Sequence, residues 1–259
     1  MRRNSLKRRL LDGETVIGTM VQEVTNPSIA QVLHSVGFDF FMIDMEHGLF
    51  SLETAAQILR VGRILDMCPL VRVRSPEYHL IAAPLDHGAM GIMLPRVESR
   101  GEVETLVEAV KYPPIGKRGC SSDAPHSEYR FGQLAEFLET NNEDTLVIAQ
   151  IERREAVDRI DEVLSTPGVD VALIGSEDLS VSLGVPGETQ SAPVVEAIEK
   201  VIAAAERNDV VSAIHLGSVE SLETWAAKGM RMLMYGSDLQ FLMESSTEGL
   251  NRLRTSVAS

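Results

Sequence analysis

The sequence predicts a (β/α)8 barrel of the TIM-barrel type. Short apolar runs alternate with segments of helical periodicity across all 259 residues. Several runs, such as Phe40–Ile43, are apolar throughout, which is typical of strands covered on both faces in a parallel sheet. Eight such runs in a chain of this length favour one barrel domain over residues 1–259. The predicted strands are Thr15–Val21, Asp39–Asp44, Leu70–Arg74, Gly91–Pro95, Leu146–Ile151, Val169–Gly175, Val210–His215 and Arg231–Gly236.

The segments around these strands carry helix signals. Leu6, Leu10 and Leu11 mark one face of a short amphipathic helix near the N-terminus. Basic residues precede it, but no apolar stretch of a signal peptide follows them. The later predicted helices are Pro27–Val36 after an Asn26 cap, Ser51–Arg60, Glu102–Val110, Ala192–Asn208, and Ser218–Lys228 with Trp225 as its buried anchor.

Composition limits the possible functions. The formal charge of −14 argues against non-specific nucleic-acid binding, which needs a clustered basic surface, but an anionic substrate stays possible. No apolar run approaches the ~18 residues of a membrane-spanning helix, so we expect no membrane contact and a cytoplasmic protein. Cys68 and Cys120 lack metal-site spacing and are expected to be small hydrophobic residues.

Carboxylates follow two of the predicted strands. Glu152 comes after the fifth strand and Asp178 shortly after the sixth. Parallel strands deliver their carboxyl ends to one rim of a barrel, where enzymes of this fold keep their chemistry. Two converging carboxylates repel each other unless a proton or a cation intervenes, and they suit Mg²⁺ or Mn²⁺. The alternative is that each carboxylate caps a helix, as Asp178 could.

Other ionisable residues end the second, third and seventh strands. His47 follows Asp44 by three residues, and a nearby carboxylate can orient an imidazole as a general base. Arg72 lies among apolar strand residues, where a guanidinium needs an anion. We expect that anion to be a ligand, with an ion pair to one of the acids as the alternative. His215 either lines the pocket or is a satisfied core residue.

A long segment, Tyr112–Arg130, lies between the predicted fourth and fifth strands and shows no hydrophobic periodicity. Long loops in compact domains are often functional. We expect Lys117 and Arg118 to bring positive charge to the same rim as the acids, as part of a substrate-facing loop. The alternative is a solvated connection.

Two kinds of chemistry find no support. No lysine lies on a predicted strand or at its carboxyl end, so a Schiff-base aldolase would have no nucleophile. The segment at Gly116 is not a phosphate-binding loop, because Lys111 replaces the upstream glycine and Arg118 replaces the Ser or Thr.

The motifs together resemble the HpcH/HpaI-type class II pyruvate aldolases, relatives of the 2-keto-3-deoxy-sugar-acid aldolases. The resemblance runs nearly end to end. It is carried by Gly37–Phe40, Ile43–Gly48, Val71–Val73, Leu85–Ala89, Tyr112–Gly119, Gln150–Glu152 and Ile174–Ser180.

This resemblance implies a barrel that uses a divalent ion (Mg²⁺, Mn²⁺ or Co²⁺) and assembles as a hexamer of subunits that exchange their last helix. It implies that Glu152 and Asp178 are the metal ligands and that His47 with Asp44 is the base system. Arg72, Gln150, Ser176 and Glu177 match substrate contacts, and Asp86 matches an acid that reaches the neighbouring subunit's site.

Two segments depart from the family pattern. Ser176 and Glu177 stand where the family commonly has Pro-x, and Gly119–His126 differs from the loop expected of the sugar-acid aldolases. That loop contacts the aldehyde half of the substrate in the family, so the sequence does not determine which aldehyde this chain releases.

The expected reaction is reversible cleavage of a 4-hydroxy-2-oxo acid to pyruvate and an aldehyde through a metal-stabilised enolate. The alternatives are a related lyase acting on an acyl-CoA ester, a decarboxylase of an oxo-diacid, and a catalytically silent barrel that serves as a binding or assembly protein.

Overall fold

The structure, a computed structural model, describes residues 3–121, 123–129 and 132–258. Within these residues, eight parallel strands pair in sequence order and β1 pairs with β8 to close a barrel. The predicted fold and all eight predicted strands are confirmed, with shifts of a few residues at their ends. The strands are β1 Val16–Val21, β2 Phe40–Asp44, β3 Cys68–Arg72, β4 Gly91–Leu94, β5 Leu146–Ile151, β6 Val171–Ile174, β7 Val211–Leu216 and β8 Met232–Ser237.

Helices connect the strands on the outside of the barrel. Ser51 caps α3 by accepting a hydrogen bond from the Thr54 amide at 3.1 Å. The sequence did not predict α4, because Pro84 inside it is a helix-breaking residue. The helices are α1 Ser5–Leu11, α2 Ser28–Val36, α3 Leu52–Ile64, α4 Tyr78–Asp86, α5 Arg100–Val110, α6 Leu134–Asp144, α7 Arg154–Asp158, α8 Ile160–Leu164, α9 Ser176–Ser182, α10 Ala192–Arg207, α11 Val219–Ala227 and α12 Asp238–Ala258, with a short 3-10 helix at Pro125–Ser127.

The core has two layers that follow the alternation of side chains along each strand. Phe41 and Ile43 belong to the layer between the sheet and the helices, whereas Phe40 and Met42 fill the barrel interior. Leu6 of α1 also joins the interior cluster. Helix α1 therefore packs against the interior, while the carboxyl ends of the strands carry an open cavity.

The segment after α5 does not lie where the sequence analysis expected it. Lys117 forms an ion pair with Glu108 of α5 at 2.7 Å, and Arg118 pairs with Asp86 at the end of α4 at 2.6 Å. The expectation of a positively charged loop at the same rim as the acids is therefore wrong for this chain's own cavity. The reason is topological: α5 runs antiparallel to the strands, so the chain that leaves it starts at the opposite end of the barrel. Arg130, the end of the expected loop, lies outside the described residues.

Helix α12 presents an apolar face that the described residues of this chain leave exposed. Leu242, Leu253 and Val257 are 64%, 64% and 82% exposed. Among the described residues, no helix combines the length and the apolar character that crossing a membrane requires.

Candidate active site

A cavity of about 510 Å³ opens at the carboxyl ends of the strands. It gathers side chains from the ends of β2, β3, β5 and β6, because parallel strands share one rim. The site residues predicted from the sequence that line this cavity are His47, Arg72, Gln150, Glu152, Ser176, Glu177 and Asp178.

Glu152 is the most buried acid that lines the cavity, at 2% exposure. Its Oε1 accepts a hydrogen bond from the Arg96 amide at 2.8 Å, and its Oε2 accepts one from the Gln150 side-chain amide. Burial raises the pKa of Glu152 to about 7, and the negative charges of Asp178 and Glu46 add to the rise. A cation beside this carboxylate would offset both effects.

Asp178 lies in the first turn of α9 and does not cap it. The N-cap residue is Gly175, and no side chain makes a capping hydrogen bond there. Because Asp178 lines the same cavity as Glu152, the two carboxylates face a shared space.

The donor set at this end of the cavity fits a hard divalent cation. The third oxygen donor beside the two carboxylates is Oε1 of Gln150. This atom is buried and has no hydrogen-bond partner, although buried amide oxygens are nearly always hydrogen-bonded. Oxygen donors of this kind are the ligands that Mg²⁺ and Mn²⁺ prefer. No group of three or more His, Cys, Asp or Glu side chains that could hold a metal occurs in the described part of the chain. Because hard divalent cations take six or more oxygen ligands, two carboxylates and one amide oxygen would leave coordination positions for substrate.

Arg72 and Asp44 are register partners on β3 and β2 and form a bidentate ion pair. Arg72 donates from Nε to Oδ1 at 2.9 Å and from Nη2 to Oδ2 at 2.6 Å. Burial raises the pKa of the Asp44 carboxyl, but the hydrogen bonds and charge of Arg72 outweigh it, so the net pKa is lowered. The ion pair that was the alternative for Arg72 is present, and Arg72 still lines the cavity.

His47 does not make the expected side-chain contact with Asp44. The Asp44 carboxylate instead accepts hydrogen bonds from the backbone amides of Glu46, at 3.0 Å, and His47, at 3.2 Å. The imidazole of His47 is 66% exposed, and its Nε2 lies 3.8 Å from a carboxylate oxygen of Glu46. Asp44 thus fixes the backbone turn that carries His47 but does not touch its ring.

Comparisons with known proteins identify the family of this chain. A sequence model described as HpcH/HpaI aldolase/citrate lyase matches residues 20–245. The chain belongs to the HpcH/HpaI aldolase/citrate lyase family.

Two relatives and one solved structure illustrate a similarity that extends over nearly the whole chain. A hydroxypyruvate/pyruvate aldolase of Roseovarius nubinhibens is 31% identical over 97% of both chains. A 5-keto-4-deoxy-D-glucarate aldolase of Shigella dysenteriae is 32% identical over 95% of both. The crystal structure of an HpcH/HpaI aldolase from Desulfitobacterium hafniense superposes with a TM-score of 0.93 and 32% identity over 96% of both chains. The prediction of a carbon–carbon lyase of the aldolase class is confirmed.

Two residues that contact the site, Glu46 and Arg96, are not among the site residues predicted from the sequence. Glu46 has an 8% exposed side chain and forms ion pairs with Arg96 at 3.1 Å and with Arg72 at 3.5 Å. Its position two residues after Asp44, at the end of a buried strand, was a usable signal. Arg96 has a positive φ of 54°, and no pattern in the sequence indicates that conformation.

Asp86 and His215 differ in their relation to the cavity. Asp86 ends α4, pairs with Arg118 and does not line the cavity of its own chain. His215 does line it, and its Nε2 lies 2.9 Å from the carbonyl oxygen of Gly236. Burial lowers the pKa of His215, which favours a neutral ring.

Proposed function

We propose that this aldolase reversibly cleaves a 4-hydroxy-2-oxo acid to pyruvate and an aldehyde with the help of a divalent metal ion. The observation that supports the proposal is the meeting of two carboxylates, an arginine and a histidine on one cavity. No lysine lines that cavity in the described part of the chain, so an imine mechanism lacks its amine.

In this proposal, Glu152 and Asp178 would hold the ion, which is Mg²⁺, Mn²⁺ or Co²⁺. When bound, such an ion supplies a Lewis acid for the negative charge that develops on the 2-oxo oxygen during cleavage. The buried Oε1 of Gln150, which has no hydrogen-bond partner, and the pKa of Glu152, which burial raises, support the assignment, because a cation would satisfy the amide oxygen and stabilise the ionised carboxylate.

Arg72 would bind the oxygens of the 2-oxo acid. The ion pair with Asp44 fixes its guanidinium plane and keeps it charged, since the pKa of Arg72 is raised by that pair despite burial. A guanidinium held in this way offers directional donors to a carboxylate or an enolate oxygen. Gln150 and the backbone at Ser176 and Glu177, which line the same wall, would orient the substrate.

His47 would act as the base. It would take the proton of the 4-hydroxyl group while the bond between carbon 3 and carbon 4 breaks, which releases the aldehyde and leaves the electron pair of that bond in the enolate of pyruvate. Carbon 3 of the enolate would then take a proton from solvent to give pyruvate. In the direction of synthesis the same imidazole would return that proton to the new hydroxyl group. Its position on the cavity wall and its exposure supply the access that this step needs.

We also propose how this chain assembles and where it acts. The chain would act as one domain in the cytoplasm and would assemble as a hexamer that exchanges α12. Asp86 would serve the site of a neighbouring subunit. The exposed apolar face of α12 supports an exchange of that helix, because apolar patches on a stable protein are usually covered by a partner.

The test is pyruvate release from a panel of 4-hydroxy-2-oxo acids with neutral, hydroxylated and carboxylated aldehyde halves, assayed with and without Mg²⁺ or Mn²⁺. Metal-dependent release from at least one compound supports the proposal. Exclusive turnover of an acyl-CoA ester, exclusive decarboxylation of an oxo-diacid, or no turnover at all would replace it with one of the alternative functions.

A further inference from the structure

His215 binds the neighbouring strand through one ring nitrogen and presents the other to the cavity. Its Nε2 lies 2.9 Å from the carbonyl oxygen of Gly236, and a carbonyl oxygen can only accept, so Nε2 carries the hydrogen. Burial lowers the pKa of His215, which keeps the ring neutral and leaves a lone pair on Nδ1. None of the described residues donates a hydrogen bond to Nδ1, and the protein does not enclose this atom. Nδ1 is therefore an acceptor open to the cavity that His215 lines.

The backbone at Gly236 holds this ring in place. The register between β1 and β8 is irregular here, and Gly236 has a positive φ of 55°. Its carbonyl oxygen also accepts a hydrogen bond from the buried hydroxyl group of Thr19 at 3.2 Å. A Cβ at position 236 would lie 2.6 Å from the ring of Phe241, so the contact and the positive φ together favour glycine. The sheet itself therefore orients the His215 ring.

His215 belongs to the floor of the cavity. It follows Ala213, a residue of the barrel interior, by two positions, as Arg72 follows Leu70. Alternate residues of a strand point to the same side, so both polar side chains project inward at the carboxyl ends of β7 and β3. These two strands stand on opposite sides of the closed barrel. Arg72 and His215 therefore approach the same central space from opposite directions.

The wall beside His215 offers hydrogen-bonding groups but no ionised side chain. The described residues that line the cavity from β7, β8 and the segments after them are otherwise Leu216, Gly217, Ser218, Ser221, Ser237 and Gln240. The charged residues of the lining come from the ends of β2, β3, β5 and β6 and the turns after them. A carboxylate at the β7 wall would have no cationic partner there, whereas a hydroxyl group would pair with Nδ1.

We propose that His215 is a specificity-determining residue that accepts a hydrogen bond from a hydroxyl group on carbon 3 of the 2-oxo acid. This inference rests on the proposed function, in which Arg72 and the ion hold the carboxylate and the 2-oxo oxygen. His47, on an exposed turn nearer the cavity mouth, serves the 4-hydroxyl group. Carbon 3 is the remaining carbon of the three-carbon unit, and in this arrangement it faces β7.

The preferred substrate is then a 3,4-dihydroxy-2-oxo acid. The bond between carbon 3 and carbon 4 breaks as in the proposed reaction, with the 4-hydroxyl proton passing to His47. The electron pair stays in the enolate, whose carbon 3 takes a proton from solvent. The products are an aldehyde and 3-hydroxypyruvate in place of pyruvate.

Pyruvate itself would use this site less well. Its methyl group would cover Nδ1 without a hydrogen bond, and an acceptor that is buried without a partner weakens binding. Sites built to bind a hydroxyl group discriminate against the analogue that lacks it for this reason. In the direction of synthesis, we expect kcat/KM to be about 10-fold or more higher for 3-hydroxypyruvate than for pyruvate.

The kinetic test measures condensation of each oxo acid with the same aldehyde, glycolaldehyde, by the protein loaded with Mn²⁺. His215→Leu removes both ring nitrogens, whereas His215→Gln can still donate to Gly236 but lacks the acceptor at Nδ1. Both variants should abolish the preference for 3-hydroxypyruvate, chiefly through its KM, while kcat/KM for pyruvate changes less than about 3-fold. His79→Leu, at an exposed histidine, is the matched control and should behave as the unmodified protein.

A second measurement does not need turnover. Isothermal titration calorimetry of the Mn²⁺-loaded protein, without an aldehyde, gives Kd for each oxo acid. Kd for 3-hydroxypyruvate should rise about 10-fold in His215→Leu and His215→Gln, and Kd for pyruvate should change less than about 3-fold. Thermal unfolding shows whether each variant is folded, and His215→Gln carries the test if His215→Leu is not.

Three results would overturn the inference and leave the proposed function intact. They are equal use of the two oxo acids by the unmodified protein, a preference that survives in the folded variants, and an equal loss with both oxo acids, which would make His215 purely structural. A variant that changes only the choice between glycolaldehyde and acetaldehyde also overturns it, because the hydroxyl group would then belong to the aldehyde half. If binding prefers 3-hydroxypyruvate through His215 but the protein neither cleaves nor forms a 4-hydroxy-2-oxo acid, the proposed function fails and the binding role of His215 stands.

Discussion

Gly175 directly follows β6, and its Cα lies against the side chains of Glu152, a proposed metal ligand, and Gln150. This close contact allows a sharp test of the metal assignment. A Cβ at this position would lie 2.9 Å from Nε2 of Gln150 and still closer to Oε2 of Glu152. Real Cβ atoms essentially never approach other atoms within 3.0 Å, so both side chains must shift. The backbone itself tolerates alanine, since φ is −96°.

We therefore expect Gly175→Ala to fold and to bind metal poorly. Changes in the residues that orient metal ligands typically weaken metal affinity by about 10–100-fold, or roughly 1.4–2.7 kcal/mol. Isothermal titration calorimetry with Mn²⁺ measures this affinity directly, and thermal unfolding without metal checks the fold. Gly101→Ala is the matched control, because a Cβ there meets nothing within 4 Å. If Gly175→Ala binds Mn²⁺ as tightly as the unmodified protein, the ion does not sit at Glu152.

Four further outcomes are expected. EDTA should abolish pyruvate release and Mg²⁺, Mn²⁺ or Co²⁺ should restore it, whereas borohydride with pyruvate should leave activity intact; the reverse pattern in the same assay would indicate an imine. Arg72→Lys should lose at least about 10-fold in kcat/KM for cleavage, because an ammonium lacks the planar fork that Asp44 and substrate share; full activity would show that charge alone suffices. Buried His126 has its pKa lowered to about 4, mainly by burial, so below about pH 6.5 the unfolded chain binds a proton that the folded chain does not. Stability should therefore fall between about pH 6.5 and about pH 4, and His126→Gln should reduce that fall by on the order of 3 kcal/mol in denaturant titrations; an equal slope in both proteins would contradict this. Light scattering should give a hexamer, and a fully active monomer would remove Asp86 from the mechanism.

The sequence by itself determined the barrel and the candidates at its rim. Apolar runs such as Phe40–Ile43 identify strands buried on both faces, and this pattern is local. Once the strands are known to be parallel, their carboxyl ends must share a rim. Residues that end or follow these strands, such as Arg72, Glu152 and Asp178, are therefore expected to line one cavity, as they do.

Only the tertiary structure decided which side chains pair. Asp44 is three residues from His47 in the chain, yet its carboxylate binds Arg72, its register partner across the sheet. Sequence spacing reports backbone proximity, whereas a hydrogen bond depends on the direction in which each side chain leaves its strand or turn.

The same reason explains the two largest corrections. Arg118 follows a motif that seemed to face the substrate, but α5 reverses the chain direction and brings this arginine to Asp86. Glu46, which was not predicted as part of the site, forms an ion pair with Arg96, fifty residues further along the chain, and Arg96 has a left-handed backbone conformation. Contacts between distant segments depend on the packed arrangement of whole elements, and no local pattern encodes them.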